Sequence, residues 1–256
     1  MTTLTRPAAT TAAAPALAPA LLRACAVEAR KLVDTRTGWV LTGTAVLLSG
    51  SFAGGRALFP TAETGFAQLA SVASYPAGSI AMVMAVLLVA GEFAHTAPVT
   101  FTLEPRRGRV VAAKALVVVA LAVVATALAF LAAGLVMLVA PAITGDPLVW
   151  TADGARFGVL FGNNVFVALA GFALALAFRN APAPLVVLLV WPTVALLVAS
   201  LSAAAGTVVA YLAVDPFFTL LTAADGLGWA RVAAAALVWV IAPAALGAAR
   251  LVRDDL

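Results

Sequence analysis

A chain of 256 residues that is 64% hydrophobic and only 10% charged, with a mean hydropathy of +1.11, lies far from soluble domains, where about a quarter of residues are charged. It reads as an all-α integral membrane protein. A formal charge of +4 would suggest nucleic acid in a soluble protein, but here the basic residues are read first as topology, and no nucleic-acid partner is expected. One cysteine, Cys25, and one histidine, His95, exclude an internal disulfide and a Cys/His metal site.

Residues 1–20 are rich in Ala, Thr and Pro, with Arg6 as the single charge. They lack the basic segment and apolar core of a cleaved signal, so a disordered cytoplasmic tail is expected. Residues 21–37 follow with the period of an amphipathic helix. Leu21, Leu22, Cys25, Ala26, Ala29, Leu32 and Val33 share one arc, Arg23, Arg30 and Asp34 lie opposite, and Val27 does not fit. So much charge suits an interfacial helix; a basic juxtamembrane anchor is the plainer alternative.

Crossing about 30 Å of hydrocarbon takes about 20 apolar residues in a helix. Six runs approach that length: about 39–55, 71–91, 115–140, 157–178, 184–205 and 229–249. The first is short and rich in Gly, Ser and Thr; Pro192 and Pro243 interrupt the fifth and sixth, where neighbouring helices can satisfy the freed carbonyls. Residues 207–228 are too apolar for an ordinary loop and are broken at Asp215-Pro216 and Asp225-Gly226. They read as a re-entrant segment on the outer side, or as an extension of the fifth span to Tyr211 followed by a short apolar loop.

With six spans, twelve lysines and arginines fall on one side and three, Arg56, Arg156 and Arg231, on the other. Basic residues accumulate in short cytoplasmic loops, so both termini are expected inside. Apart from Arg231 near the start of the sixth, none of the six runs contains a charged residue, the usual mark of an ion-coupled carrier or membrane enzyme. Asn163 and Asn164 in the fourth run are the most polar interior residues, and helix packing accounts for them more simply than a transport pathway. His95 has no nucleophile or second carboxylate beside it in a defined constellation, and no GxxxxGK[ST] phosphate loop occurs. No catalytic residue, cofactor or enzyme activity is expected of this chain.

Charge concentrates instead in GEFAHTAPVTFTLEPRRGRVVAAK, residues 91–114, between the second and third runs. The helix EARKLVDTRTGW leading into the first span, the GE pair closing the second, and PRRGRVVAAK opening the third together resemble the permease subunits of bacterial ATP-binding-cassette (ABC) transporters of the second, exporter-like type. The resemblance covers nearly the whole chain from about residue 21. It implies a multi-pass permease of the bacterial inner membrane that works as a homodimer or with a related permease, beside a separate ABC ATPase that holds the ATP and Mg. It further implies that the loop 92–114 contains the coupling helix, with Glu92 at the membrane edge and Arg106, Arg107 and Lys114 near headgroups or the ATPase. Binding of these basic residues to anionic lipid of the bilayer is the competing reading.

An efflux permease moving an apolar or amphipathic cargo by alternating access is therefore expected. The alternatives are a self-contained secondary carrier or channel using Asn163 and Asn164, and a non-transporting interaction or immunity protein.

Overall fold

A computed structural model describes residues 17–59, 64–95, 107–145, 149–150, 153–222 and 225–253. The regular structure of these residues is helical, with one isolated bridge between Gly65 and Val149. Helix α1 spans Leu17–Val33, α2 Arg36–Leu58, α3 Phe66–His95, α4 Arg107–Thr144, α5 Gly154–Phe178 and α6 Pro182–Ala199. Short pieces follow: α7 (Ala203–Ala210), a 3-10 turn (Pro216–Phe218) and α8 (Thr219–Thr222). Helix α9 (Gly228–Ala236), a π turn (Leu237–Ile241) and α10 (Ala242–Arg253) then run on continuously.

Five of these helical stretches, Phe66–Phe93, Gly108–Thr144, Gly154–Phe178, Pro182–Ala199 and Gly228–Leu251, are long and apolar enough to cross a bilayer, which makes the chain a multi-pass membrane protein by length and composition. Helix α2, at 23 residues, has the length, but its Gly, Ser and Thr residues keep it less apolar than the other five. It packs along α3 and α4 nonetheless. Buried Ser49 donates to the carbonyl of Ala73 at 2.8 Å, a bond that satisfies a hydroxyl where water is absent.

The helices differ from the expected runs mainly in length. Helix α1 begins at Leu17, inside the stretch expected as tail; residues 1–16 lie outside the described residues. Helices α3 and α4 extend well past 71–91 and 115–140, so the expected 92–114 loop is helical at both ends and only 96–106 lie outside the described residues. At 38 residues α4 is about 57 Å long and must project beyond the hydrocarbon. The fifth run ends early: α6 stops at Ala199, and Ser202 caps a separate α7 through Ala205 N–H.

Helices α3 and α5 form the centre, and α6 and the last span are the most exposed. The core is rich in alanine, among them Ala73, Ala77, Ala85, Ala122, Ala168 and Ala173, which lets backbones approach closely. Between α1 and α2 the chain turns a tight corner. The Thr35 side chain caps α2 by accepting from Gly38 N–H, and a Cβ at Gly38 would lie 1.8 Å from the carbonyl oxygen of Leu32. Only glycine fits there.

The broken segment after α7 is held by side chains rather than by helical hydrogen bonds. The indole N–H groups of Trp191 on α6 and Trp239 on the π turn both donate to the Leu212 carbonyl, at 2.8 and 3.0 Å. The two rings pack with centroids 5.5 Å apart. This arrangement answers the need of non-helical backbone for sheltered partners in an apolar setting.

Candidate functional site

Four charged side chains converge where α1 meets the C-terminal end of α3 and the N-terminal part of α4. Glu28 sits on the inward face of α1 with Cys25, Ala29 and Leu32, which pack against the core. Lys114 of α4 binds Glu28 Oε2 at 2.5 Å and Glu92 Oε2 at 2.7 Å, and its third donor reaches the Leu88 carbonyl at 3.4 Å. Lys31 closes the ring, 2.6 Å from Glu28 Oε1 and 3.7 Å from Glu92 Oε1. Glu28, Glu92 and Lys114 are 4%, 7% and 4% exposed, while Lys31 reaches the surface.

Charge balance is what makes this burial tolerable. A lone ion in the hydrocarbon costs roughly 2.5–3.5 kcal/mol on insertion scales, whereas two carboxylates alternating with two ammonium groups balance one another among the described residues. An ammonium has three donors, and Lys114 has a partner for each. The cluster ties α1 to the two helices that flank residues 96–106. Beside it, Lys31, Leu32, Thr35, Gly38, Leu88 and Glu92 help line a groove of about 610 Å³.

A second polar place lies between α3, α5, α6 and the broken segment. A cavity of about 260 Å³ is lined by Tyr75, Ser79, Asn163, Asn164 and Asp215 together with apolar residues such as Met82, Val167 and Leu188. Asn163 lies about 14 Å along α5 from Gly154. The two asparagines differ. Asn164 Nδ2 donates to Thr126 Oγ1 at 2.9 Å and to the Ser74 carbonyl at 3.4 Å, and Gly78 leaves room for its amide. Asn163 is 6% exposed and its buried Oδ1 accepts no hydrogen bond. Asp215, just before the 3-10 turn, is accessible at the mouth. Desolvation by the surrounding protein nevertheless raises its carboxyl above the ordinary carboxylate range, against the opposing effect of its own backbone N–H.

The sequence-selected residues therefore separate. Glu92 and Lys114, expected at the edges of an exposed loop, are buried on helices and face one another. Arg106 and the side chain of Arg107 lie outside the described residues, as does the side chain of His95. Asn163 and Asn164 line one cavity, with Asn164 serving helix packing. Two residues escaped the sequence reading. At 100° per residue Glu28 falls about 20° from Leu21, at the edge of the apolar arc, so an acid bordering that arc and away from Arg23, Arg30 and Asp34 was the available signal. Asp215 was visible only as a helix breaker beside Pro216. Among the described residues no three His, Cys, Asp or Glu side chains converge as metal ligands. No family model, curated protein or solved structure matches the chain.

Proposed function

We propose that this chain is the membrane subunit of an ATP-driven ABC exporter of the bacterial inner membrane, with α2 as the first of six spans and both termini in the cytoplasm. The observation that carries the reading is the cluster of buried Glu28, Glu92 and Lys114 with the exposed Lys31, which joins α1 to both helices flanking residues 96–106. A segment that receives force from an ATPase must pass it to the spans without bending. Long α4, continuous from Arg107 to Thr144, and the ion-paired joint at its base suit that task. In this reading Arg106 and Arg107 meet the ATPase, while Glu92 and Lys114 act behind the contact as positioning residues. The pieces between α7 and α9 form the re-entrant segment, and a second copy or a paralogue completes the pathway.

Co-expression with the ATPase encoded beside it provides the test. The chain is expected to co-purify with that ATPase and raise its ATP hydrolysis; failure of both overturns the proposal. Charge reversal at Arg106 and Arg107 should weaken association with insertion intact, and unchanged affinity would remove them from the contact. Glu28→Gln should leave association near the parent level but reduce the stimulation of hydrolysis.

The polar cavity favours one other reading, a self-contained carrier. Gradient-driven flux in proteoliposomes without ATPase would select it.

A further inference from the structure

We propose that the cavity bounded by Asn163, Tyr75 and Asp215 is a binding site for a primary ammonium group carried on a small apolar body. The case rests on the chemistry of its walls. Asn163 Oδ1 is a buried acceptor with no hydrogen-bond partner, a state that is costly unless something donates to it. The Asp215 carboxyl supplies a second acceptor at the mouth. Asn164 is unavailable as a donor because its Nδ2 is committed to Thr126 and Ser74. No Lys or Arg lines the cavity among the described residues. Two acceptors without a Lys or Arg beside them among the described residues thus border the cavity, and a cation with several N–H donors answers both.

The remaining walls describe the rest of the ligand. Met82, Val167, Leu188, Leu189 and Val214 are apolar, so the body attached to the ammonium is apolar too. Tyr75 stacks on Phe218 with centroids 5.5 Å apart and stands exposed at the mouth, where an aromatic face also attracts a cation. At about 260 Å³ the cavity admits a single-ring amine rather than a large drug. The raised carboxyl of Asp215 fits the same role, since an arriving cation restores the charged form that desolvation opposes. Because the Asn163 oxygen is buried, this role requires its amide to turn toward the ligand. Both a free amphiphilic amine and an aminophospholipid headgroup carry this chemistry.

Use of the site for cargo rests on the exporter reading, but the binding itself needs no ATPase. Failure of one is therefore distinguishable from failure of the other. The purified chain in dodecyl maltoside at pH 7.5 is titrated with phenethylamine and, separately, with neutral 2-phenylethanol, read by saturation-transfer NMR. Saturable binding of the amine, at least tenfold tighter than the alcohol, is expected. Asp215→Asn should lose at least tenfold, Asn163→Leu severalfold, and Asp215→Glu should retain most of the affinity. The charge-retaining variant guards against a folding defect mistaken for lost binding. Added phosphatidylethanolamine that competes with phenethylamine assigns the site to a lipid headgroup, and absence of competition assigns it to free amines. Equal affinity for amine and alcohol, or parental affinity in both Asp215→Asn and Asn163→Leu, overturns the proposal.

Discussion

Two polar places sit in this apolar bundle, and they are built on opposite plans. At the base of α4, Glu28 and Glu92 alternate with Lys31 and Lys114. In the cavity beside α5, Asn163 Oδ1 and the Asp215 carboxyl meet no Lys or Arg among the described lining residues. Polar groups in a low-dielectric interior stiffen a structure when every donor has its acceptor, and remain costly when they do not. At the first place the Lys114 ammonium has an acceptor for each donor and both carboxylates are ion-paired, Glu92 Oε1 through Lys31 at 3.7 Å without a hydrogen bond, and the cluster serves as a joint. The second has an acceptor with no opposing cation among the described lining residues, which is what a binding site requires.

The largest blow to this contrast is Lys114→Met. Among the described charged partners it leaves Lys31 facing the buried Glu28 and Glu92, 3.7 Å from Glu92. Removing one member of a buried pair costs about 3–5 kcal/mol. The expected outcome is a matching loss in SDS-induced unfolding from mixed micelles, with much of it recovered when Glu28→Gln is added. A loss under 1 kcal/mol would mean the cluster is hydrated and not a joint.

Gly78→Ala tests the packing of α3 against Asn164. Its Cβ would lie 2.3 Å from Asn164 Oδ1 and 2.9 Å from Asn164 Cγ, so the amide must leave Thr126 and Ser74. Overpacking of this kind costs about 1–3 kcal/mol. The same unfolding assay should show it, and Thr126→Val combined with it should add little because the bond to Thr126 is already lost.

The smallest effect has the opposite sign. Because burial raises the Asp215 carboxyl pKa, the folded chain holds that proton more tightly than the unfolded chain. Stability falls as pH rises from the ordinary carboxylate value through the raised one, and stays lower above it. Asp215→Asn removes that penalty, so the ligand-free variant should melt higher than the parent at pH 7 and match it more closely near pH 3. A variant that melts higher and binds amine more weakly separates a binding role from a structural one. An equal or lower midpoint at pH 7 would place Asp215 among the stabilising residues.

Much of the architecture was legible from composition and runs of apolar residues. Helices over the second, third, fourth and sixth runs appear in place, because a long charge-free stretch has few ways to satisfy its backbone in lipid except as a helix. The fifth run was harder to bound. Nothing in its apolarity marks the stop at Ala199, which depends on Ser200 ending α6 and Ser202 capping α7. The apolar runs understate α3 and α4, which continue past Glu92 to His95 and back through Lys114 and Val110 to Arg107. Each charge lies inside its helix because the other is there to neutralise it.

By itself, then, the sequence determined a multi-pass helical membrane protein with a basic connector between two spans. Hydropathy and charge are properties of single residues summed along the chain, and they are readable without contacts. Which polar residues are paired is a property of residues far apart in sequence. Lys114 meets Glu28 across 86 positions and Asn164 meets Thr126 across 38, while the Oδ1 of Asn163, one residue away, accepts no hydrogen bond. Only the packing of α1, α3, α4 and α5 decided that difference, because a hydrogen bond needs two groups within about 3 Å, and it is the packing of helices that brings them there.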